Sequence, residues 1–374
     1  MRKSIISIVI VLSLLFGLTW NVGATFIETQ INKNLSVEEL ADKYLTVTKI
    51  EDENGEKTVS EGIDVLKTKI SASRPGISDL ELAKEIYRAL GDDDFAISQL
   101  PEDKIIEILD CTKCIENTDY IRANENGQEY LKKNELVKEL ANLNDLTYDG
   151  EIFVENNGSV IGNTSVAYSA ASNDYYNETN SSDGYMQLKT KALYLSSMSA
   201  SDPKREYYHI QVDARWLKMP YWSLEDLLVL FGDGNYFDEY EVFGSVSLSY
   251  EIYDYKGNLQ TSNMVTNYIS DQRGSNTTSN FIALDNNAGP GAFVLRFSTS
   301  VPSAQQLKYT RKVATLYAAC TFDNEDGYIQ GAYSHAKIGG SISVSFPAGA
   351  SFTGAIGRSD YFGKPLTIYY NGES

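Results

Sequence analysis

Cysteine and histidine are scarce in this 374-residue chain, which has three cysteines and two histidines. Three cysteines cannot build a disulfide framework, so burial of apolar side chains has to stabilise the fold. A structural zinc site takes four ligands, and neither a second C-x-x-C nor a close pair of histidines is present. The motifs G-x-S-x-G, H-E-x-x-H, the P-loop and G-x-G-x-x-G are absent too. The sequence therefore points to no particular reaction.

Positive charge is also in short supply. The chain has 32 Lys and Arg residues against 51 Asp and Glu residues, a formal net charge of −19 at pH 7. Nucleic acid and anionic lipid carry the same sign of charge and would be repelled, which disfavours both as partners. An acidic surface also keeps an exported protein in solution, and this simpler explanation accounts for the charge without any specific partner.

The N-terminus has the pattern of a secretory signal peptide. Arg2 and Lys3 precede an apolar run over residues 5–18, and Val22-Gly23-Ala24 supplies small residues for cleavage after Ala24. The run is shorter than the roughly 20 residues that cross a bilayer. We therefore predict that residues 1–24 are removed and that the mature chain is secreted, with no transmembrane span. The alternative is an uncleaved segment that anchors the chain in the membrane.

Residues 25–150 show helical spacing of apolar residues. Ser36 with Glu39 predicts a capping box at the start of an amphipathic helix in "LSVEELADKYL". "SDLELAKEIYRAL" predicts a second helix, capped by Ser78 and ended by Gly91. "LPEDKIIEILD" and "NELVKELANLN" have the same character. The pattern predicts a small all-α domain over residues 25–150.

After residue 150 the period changes to two. Residues 151–184 are polar, without apolar periodicity, and predict a linker or long loops. Over residues 185–374, segments such as "YMQLKTKALYL", "EVFGSVSLSYEIY", "AFVLRFS" and "AKIGGSISVSF" alternate apolar and polar residues. Such alternation is typical of antiparallel strands with one buried face and one face in water. The predicted fold class is α+β in two domains, a small all-α N-terminal domain followed by an antiparallel β-sandwich.

The segment "YYHIQVDARWLKMPYWSLEDLLVLF" contains two tryptophans in different settings. Trp216 shares the apolar side of an alternating strand and is predicted to fill the core between two sheets. Trp222 follows Pro220 and precedes Ser223, which is a suitable N-cap for a helix in "LEDLLVLF". In that reading Trp222 packs on the helix as a hydrophobic staple.

A second reading makes Tyr221 and Trp222 an exposed aromatic platform. Aromatic faces beside carboxylates suit a sugar ring or a protein partner, and Glu225 and Asp226 would then supply hydrogen bonds. These four residues are the candidate binding site.

The stretch "ARWLKMPYWSLEDLLVL", after "GYMQLKTKALYL", resembles a pattern found in uncharacterised secreted proteins of Gram-positive bacteria. The resemblance covers the C-terminal half and implies an exported bacterial protein. It implies no activity and no catalytic residues.

Two further groups of residues suggest chemistry. Cys111 and Cys114 have C-x-x-C spacing but follow a predicted helix, so a local disulfide is favoured over thioredoxin-like redox chemistry. The oxygen-rich stretches at 233–241 and 323–326 could hold calcium but lack the EF-hand order. Calcium therefore stays an alternative to the prediction of no cofactor.

The leading hypothesis is a secreted, non-enzymatic protein whose β-sandwich binds an extracellular partner, either a glycan or a cell-surface protein. One alternative is a secreted hydrolase that cleaves glycan through paired carboxylates, whose separation the sequence does not show. Another is a structural protein anchored to the envelope by its uncleaved N-terminus.

Overall fold

The computed structural model describes residues 35–52, 55–124, 127–143, 146–148, 153–155, 160–162, 184–195, 205–218, 225–233, 235–253, 258–269, 281–284, 292–298, 307–323, 326–336 and 358–368. The helices are α1 (Val37–Tyr44), α2 (Ile63–Ser73), α3 (Asp79–Ala89), α4 (Asp94–Ile97), α5 (Glu102–Ile106) and α6 (Lys133–Leu143), with a 3-10 turn at Glu107–Asp110. The strands are β1 (Thr46–Asp52), β2 (Gly55–Glu61), β3 (Cys111–Asn124), β4 (Gly127–Leu131), β5 (Leu146–Tyr148), β6 (Phe153–Glu155), β7 (Val160–Gly162), β8 (Gly184–Leu195), β9 (Arg205–Lys218), β10 (Glu225–Asp233), β11 (Asn235–Tyr253), β12 (Leu259–Ile269), β13 (Phe281–Leu284), β14 (Ala292–Ser298), β15 (Leu307–Asp323), β16 (Gly327–Ala336), β17 (Arg358–Phe362) and β18 (Leu366–Ile368).

The chain divides into two compact units that alternate along the sequence. One unit comprises Met1–Val47, Ser60–Ser98 and Glu102–Lys113, and the other comprises Thr48–Val59, Gln99–Pro101 and Cys114–Ser374. The predicted signal peptide over residues 1–24 lies outside the described residues, as does most of the predicted linker over residues 151–184.

The first unit contains three of the four helices that the sequence predicted, and the fourth, α6, belongs to the second unit. The capping box is present, because Ser36 N donates to Glu39 Oε2 at 2.7 Å and Glu39 N donates to Ser36 Oγ at 3.2 Å. Ser78 caps α3, and Gly91 adopts a left-handed conformation with φ +94° just after its end. One apolar face of each helix is buried, with the core side chains Val37, Leu40, Ile63, Leu66, Ile70, Leu82, Ile86, Tyr87, Ile105 and Ile108. The helical periodicity is confirmed for these elements.

The prediction that residues 25–150 form an all-α domain is wrong. Strands β1 to β5 lie in this range, and β1 to β4 belong to a sheet that continues into the C-terminal part of the chain. Segments such as "TVTKI" and "YI" are rich in the β-branched and aromatic residues that fit a pleated, half-buried surface. They form strands because a neighbouring strand is available for pairing, which a local helical pattern does not reveal.

The described residues form three sheets of antiparallel strands. The largest sheet has the order β1-β2-β3-β8-β9-β15-β11-β12, with β4 beside β3. A second sheet has the order β13-β14-β10-β16-β17, with β18 on β16, and β5-β6-β7 form a small third sheet. The chain passes from the first sheet to the second between β9 and β10, so residues on either side of 219–224 belong to different sheets.

Inward side chains of the two larger sheets share one core. Ala214 of β9 lies opposite Leu188 of β8 and Ala314 of β15, which sets the inward phase of three neighbouring strands. From the second sheet the core takes Leu228, Leu230, Phe293, Leu295, Phe297, Ile329, Tyr333, Tyr361, Leu366 and Ile368. Trp216 is 3% exposed and belongs to this core, which confirms its predicted place between two sheets.

The prediction of a second, wet face does not hold for the central strands of the first sheet. Gln211 of β9, Ser245 and Ser247 of β11, and Thr315 of β15 point to the supposed wet side and are buried. Hydrogen bonds satisfy much of this polar layer, as where Thr315 Oγ1 donates to Asp213 Oδ1 at 2.6 Å. The alternation of apolar and polar residues therefore shows which face of these strands is polar, but it does not show that this face is exposed to solvent. The strand predicted in "AKIGGSISVSF" lies almost wholly in 337–357, outside the described residues.

Candidate functional site: a charged cluster between the two sheets

Asp226 is the predicted site residue whose surroundings the structure defines. It is the second residue of β10 and has the same inward phase as Leu228 and Leu230. Its side chain is fully buried, with 0% exposure. The predicted helix in "LEDLLVLF" is wrong, because Glu225–Asp233 forms a strand paired with β14 and β16. The staple reading of Trp222 fails with that helix, and Asp226 cannot serve an exposed platform.

Lys312 is the partner of the buried carboxylate. It lies on β15 opposite Trp216 of β9 and has the inward phase of Ala314 and Leu316. Its Nζ forms an ion pair and hydrogen bond with Asp226 Oδ2, and its side chain is 1% exposed. Burial lowers the pKa of Lys312, and the charge and hydrogen bond of Asp226 act in the opposite direction. The pair joins the two facing sheets.

Tyr333 completes the polar part of the cluster. It lies on β16 opposite Leu228 and donates its hydroxyl to Asp226 Oδ2 at 2.6 Å. Burial, followed by the charge of Asp226, raises the pKa of Tyr333 well above the ordinary tyrosine value. The phenol therefore keeps its proton and remains a donor to the carboxyl group.

Aromatic rings enclose these three groups. Lys312 Nζ lies 5.3 Å from the ring centroid of Phe297 and 5.9 Å from that of Tyr333. Trp216 packs edge-to-face on Tyr333 at 5.5 Å and on Tyr361 at 5.9 Å between ring centroids. We refer to Asp226, Lys312, Tyr333, Trp216, Phe297 and Tyr361 as the inter-sheet cluster. An amine, a carboxyl group and a phenol thus meet in an interior closed to solvent, where electrostatic interactions are strong.

The structure does not define the side chains of the other three candidate binding residues. Glu225 begins β10, and the structure describes its backbone only. Tyr221 and Trp222 lie outside the described residues, so the aromatic platform stays a prediction.

The predicted disulfide between Cys111 and Cys114 is wrong. Both residues are buried and are not bonded to each other, and both lie at the start of β3, directly after the 3-10 turn Glu107–Asp110. At about 3.3 Å per residue, positions three apart on a strand are separated by roughly 10 Å and point to opposite faces. A disulfide needs Cα atoms within about 7 Å of each other. The Cys111 thiol instead contacts the carbonyl oxygen of Glu107 at 3.7 Å.

A second buried carboxyl group lies where β3 meets the segment after β17. Asp119 Oδ2 accepts hydrogen bonds from Lys364 N at 2.7 Å and from Asn117 Nδ2 at 3.2 Å. Burial raises the pKa of Asp119 to about 6, although the Lys364 amide and the Lys364 charge both lower it. The charge of Asp119 in turn adds to the burial that raises the pKa of Tyr130 to about 12.

Asp119→Asn is expected to remove one component of the pH dependence of stability. The folded carboxyl group binds its proton more tightly than an unfolded one, whose pKa is 3.8, so its stability contribution falls as pH rises from about 4 to about 6. Above that range the ionised, buried group costs about 3 kcal/mol at 1.36 kcal/mol per pKa unit. Urea unfolding at pH 4, 5, 6 and 7 should show that the stability of the variant relative to the wild type increases between about pH 4 and about pH 6. An equal difference at every pH would contradict the assignment.

The sequence predicts no cofactor, with calcium as an alternative, and no transmembrane span in the mature chain. Among the residues that the structure describes, no group of three or more His, Cys, Asp or Glu side chains could hold a metal ion. In the same part of the chain, no helix is long and apolar enough to cross a membrane. The predicted calcium stretches at 233–241 and 323–326 fall partly outside that part, so calcium binding stays a prediction.

Comparison with known proteins gives no family assignment. No family model matches the chain, and no curated protein matches it. Among solved structures, the collagen-binding domain of a Staphylococcus aureus adhesin is 11% identical, with a TM-score of 0.23, over 43% of this chain and 88% of that domain. A structure titled as manganese lipoxygenase of Gaeumannomyces graminis with partial zonadhesin of Komagataella pastoris is 8% identical, with a TM-score of 0.21, over 69% and 89%. At these TM-scores neither likeness carries an argument about this chain.

Proposed function

We propose that the chain is an exported, non-enzymatic protein whose β-sandwich binds an extracellular partner through Tyr221 and Trp222. The secretory pattern of residues 1–24 and the acidic composition support export. A glycan is the partner favoured by adjacent aromatic side chains, because sugar rings stack on aromatic faces. A cell-surface protein is the other class of partner that the proposal admits.

The proposal is supported by the sequence position of these two residues, which come between a strand of the first sheet and a strand of the second. β9 ends at Lys218 in the first sheet, and β10 begins at Glu225 in the second. Chain segments that pass from one sheet of a sandwich to the other lie at its ends, where loops carry binding residues on a rigid frame. The inter-sheet cluster fixes both flanking strands, because Trp216 belongs to one and Asp226 to the other.

The glycan-hydrolase alternative named no carboxylates, and Asp226 cannot be one of them. A glycosidase needs two carboxyl groups that flank the scissile bond in a cleft. Asp226 is enclosed between the sheets and bound to Lys312 and Tyr333, so it cannot reach a substrate. Any hydrolytic pair would have to use other carboxylates.

The binding site is tested with the full chain and two matched aromatic variants. We expect the wild type to bind purified cell-wall glycan, and Trp222→Ala to weaken that binding at least about tenfold, the loss typical of a binding hot spot. Tyr268→Ala removes an aromatic side chain that is 54% exposed on β12, a different strand, and should bind as the wild type does. The measurement is equilibrium sedimentation with the glycan, with a panel of cell-surface proteins as a second arm.

Either of two outcomes would overturn the proposal. If Trp222→Ala and Tyr268→Ala bind equally well, the site is elsewhere. If the wild-type chain shortens the glycan, the protein is a hydrolase.

A further inference from the structure

The inter-sheet cluster brings a primary amine into direct contact with a carboxyl group in the dry interior. Lys312 and Asp226 are 1% and 0% exposed, and they reach each other from facing strands of two different sheets. They are 86 residues apart in sequence. An amine and a carboxylic acid are the two functional groups from which an amide is made.

We propose that Lys312 and Asp226 become joined by an amide bond between Nζ and Cγ, which cross-links β15 to β10 through the core. This modification goes beyond the proposed binding function and does not depend on it. The bond would close a covalent loop that contains β11 to β14 and spans both faces of the core.

The amine can act as a nucleophile in this setting. Burial disfavours the ammonium form and lowers the pKa of Lys312, which favours the neutral amine whose lone pair is the nucleophile. A proton passed from the ammonium to the neighbouring carboxylate gives amine and carboxylic acid with no change in total charge. Two neutral groups also cost less to keep between Phe297 and Trp216 than two ions.

The reaction balances without any other reagent. The Nζ lone pair attacks Cγ of Asp226, and the Nζ–Cγ bond forms as the carbonyl π pair moves onto oxygen. The tetrahedral intermediate then collapses, one Cγ–O bond breaks, and that oxygen leaves as water with the acid proton and one amine proton. Nothing is oxidised or reduced, and one water molecule is released for each bond formed.

Tyr333 is placed to assist this step. Its hydroxyl donates to Asp226 Oδ2 at 2.6 Å, so it can stabilise negative charge on that oxygen during attack. It can also lend a proton to the departing oxygen and recover one from nitrogen. The raised pKa of Tyr333 keeps that proton available.

The fold supplies the remaining requirements. Holding both groups in contact makes the step intramolecular, which can replace a large part of the barrier of a bimolecular condensation. The surrounding rings of Trp216, Phe297 and Tyr361 keep bulk water away from the bond, which disfavours its hydrolysis.

Tryptic digestion of the denatured, reduced full chain provides a direct test. Residues 219–256 and 312–337 contain no internal lysine or arginine apart from Lys312 itself at the start of the second range. An amide at Lys312 blocks cleavage after it. We expect one branched species that contains both peptides, with a mass lower than their sum by one water molecule and fragment ions that place the link at Lys312 and Asp226.

Two variants serve as controls. Lys312→Arg keeps the positive charge near Asp226 but removes the nucleophilic amine, and should give only separate peptides. Tyr333→Phe removes a single hydroxyl group, and should slow formation of the branched species after refolding by about 10²-fold, the usual scale for a lost general acid. If the wild-type digest yields a free 219–256 peptide and a peptide that begins at Val313, with no branched species, the pair is an ion pair and the proposal is overturned.

Discussion

Lys312→Met is expected to destabilise the protein by about 3–5 kcal/mol, because removing one partner of a buried ion pair leaves the other charge uncompensated. Asp226 would keep the Tyr333 hydroxyl as a donor but lose its cation in an interior that admits no water. Methionine fills a similar volume, so the loss reports the charge rather than a cavity. The midpoint of urea unfolding, followed by circular dichroism, measures it.

The double variant Lys312→Met/Asp226→Leu distinguishes a buried ion pair from a covalent cross-link. Replacing a buried pair by apolar residues is often neutral or stabilising, so the double variant should recover most of the loss if the pair is only ionic. If the pair is covalently joined, the double variant also lacks the cross-link and recovers only part of it. A Lys312→Met variant as stable as the wild type would show that the interaction contributes nothing to folding.

Trp216→Ala is expected to cost about 3–5 kcal/mol, the usual range for removing a large aromatic side chain from a packed core. Trp216 is 3% exposed and contacts Tyr333 and Tyr361 edge-to-face, so its loss leaves a cavity beside the inter-sheet cluster. Trp216→Phe keeps one aromatic ring and should cost less. The free energy of unfolding in urea is again the measurement.

Tyr268→Ala is the control for this substitution. Tyr268 is 54% exposed, and exposed substitutions usually change stability by no more than about 0.5 kcal/mol. A Trp216→Ala variant within that range would mean that Trp216 does not hold the two sheets together.

Strands are predicted well from the sequence where apolar and polar residues alternate regularly and the apolar side chains face the core between the two sheets. Met186, Leu188, Phe293 and Phe297 were predicted to face inward, and all four are buried between the sheets. The same reasoning missed β10, where Leu227, Val229 and Phe231 are buried on the outer face as well. A strand buried on both faces is a continuous apolar run, and such a run cannot be told from a helix by its period.

The cluster itself could be predicted only in part. Lys312 has the phase of Ala314, Leu316 and Ala318, so a lysine in the apolar register of a strand was the available signal. Its pairing with Asp226 and Tyr333 was not accessible, because the three residues come from strands distant in sequence and from two sheets. Their proximity is a product of topology, which one sequence does not reveal.

The contact of Asp119 with the backbone of Lys364 links positions 245 residues apart, and Gln128 reaches the backbone of Phe362 across 234. Pairing at such distances requires costly closure of long loops and slows folding. Neither contact can form until nearly the whole polypeptide has been synthesised.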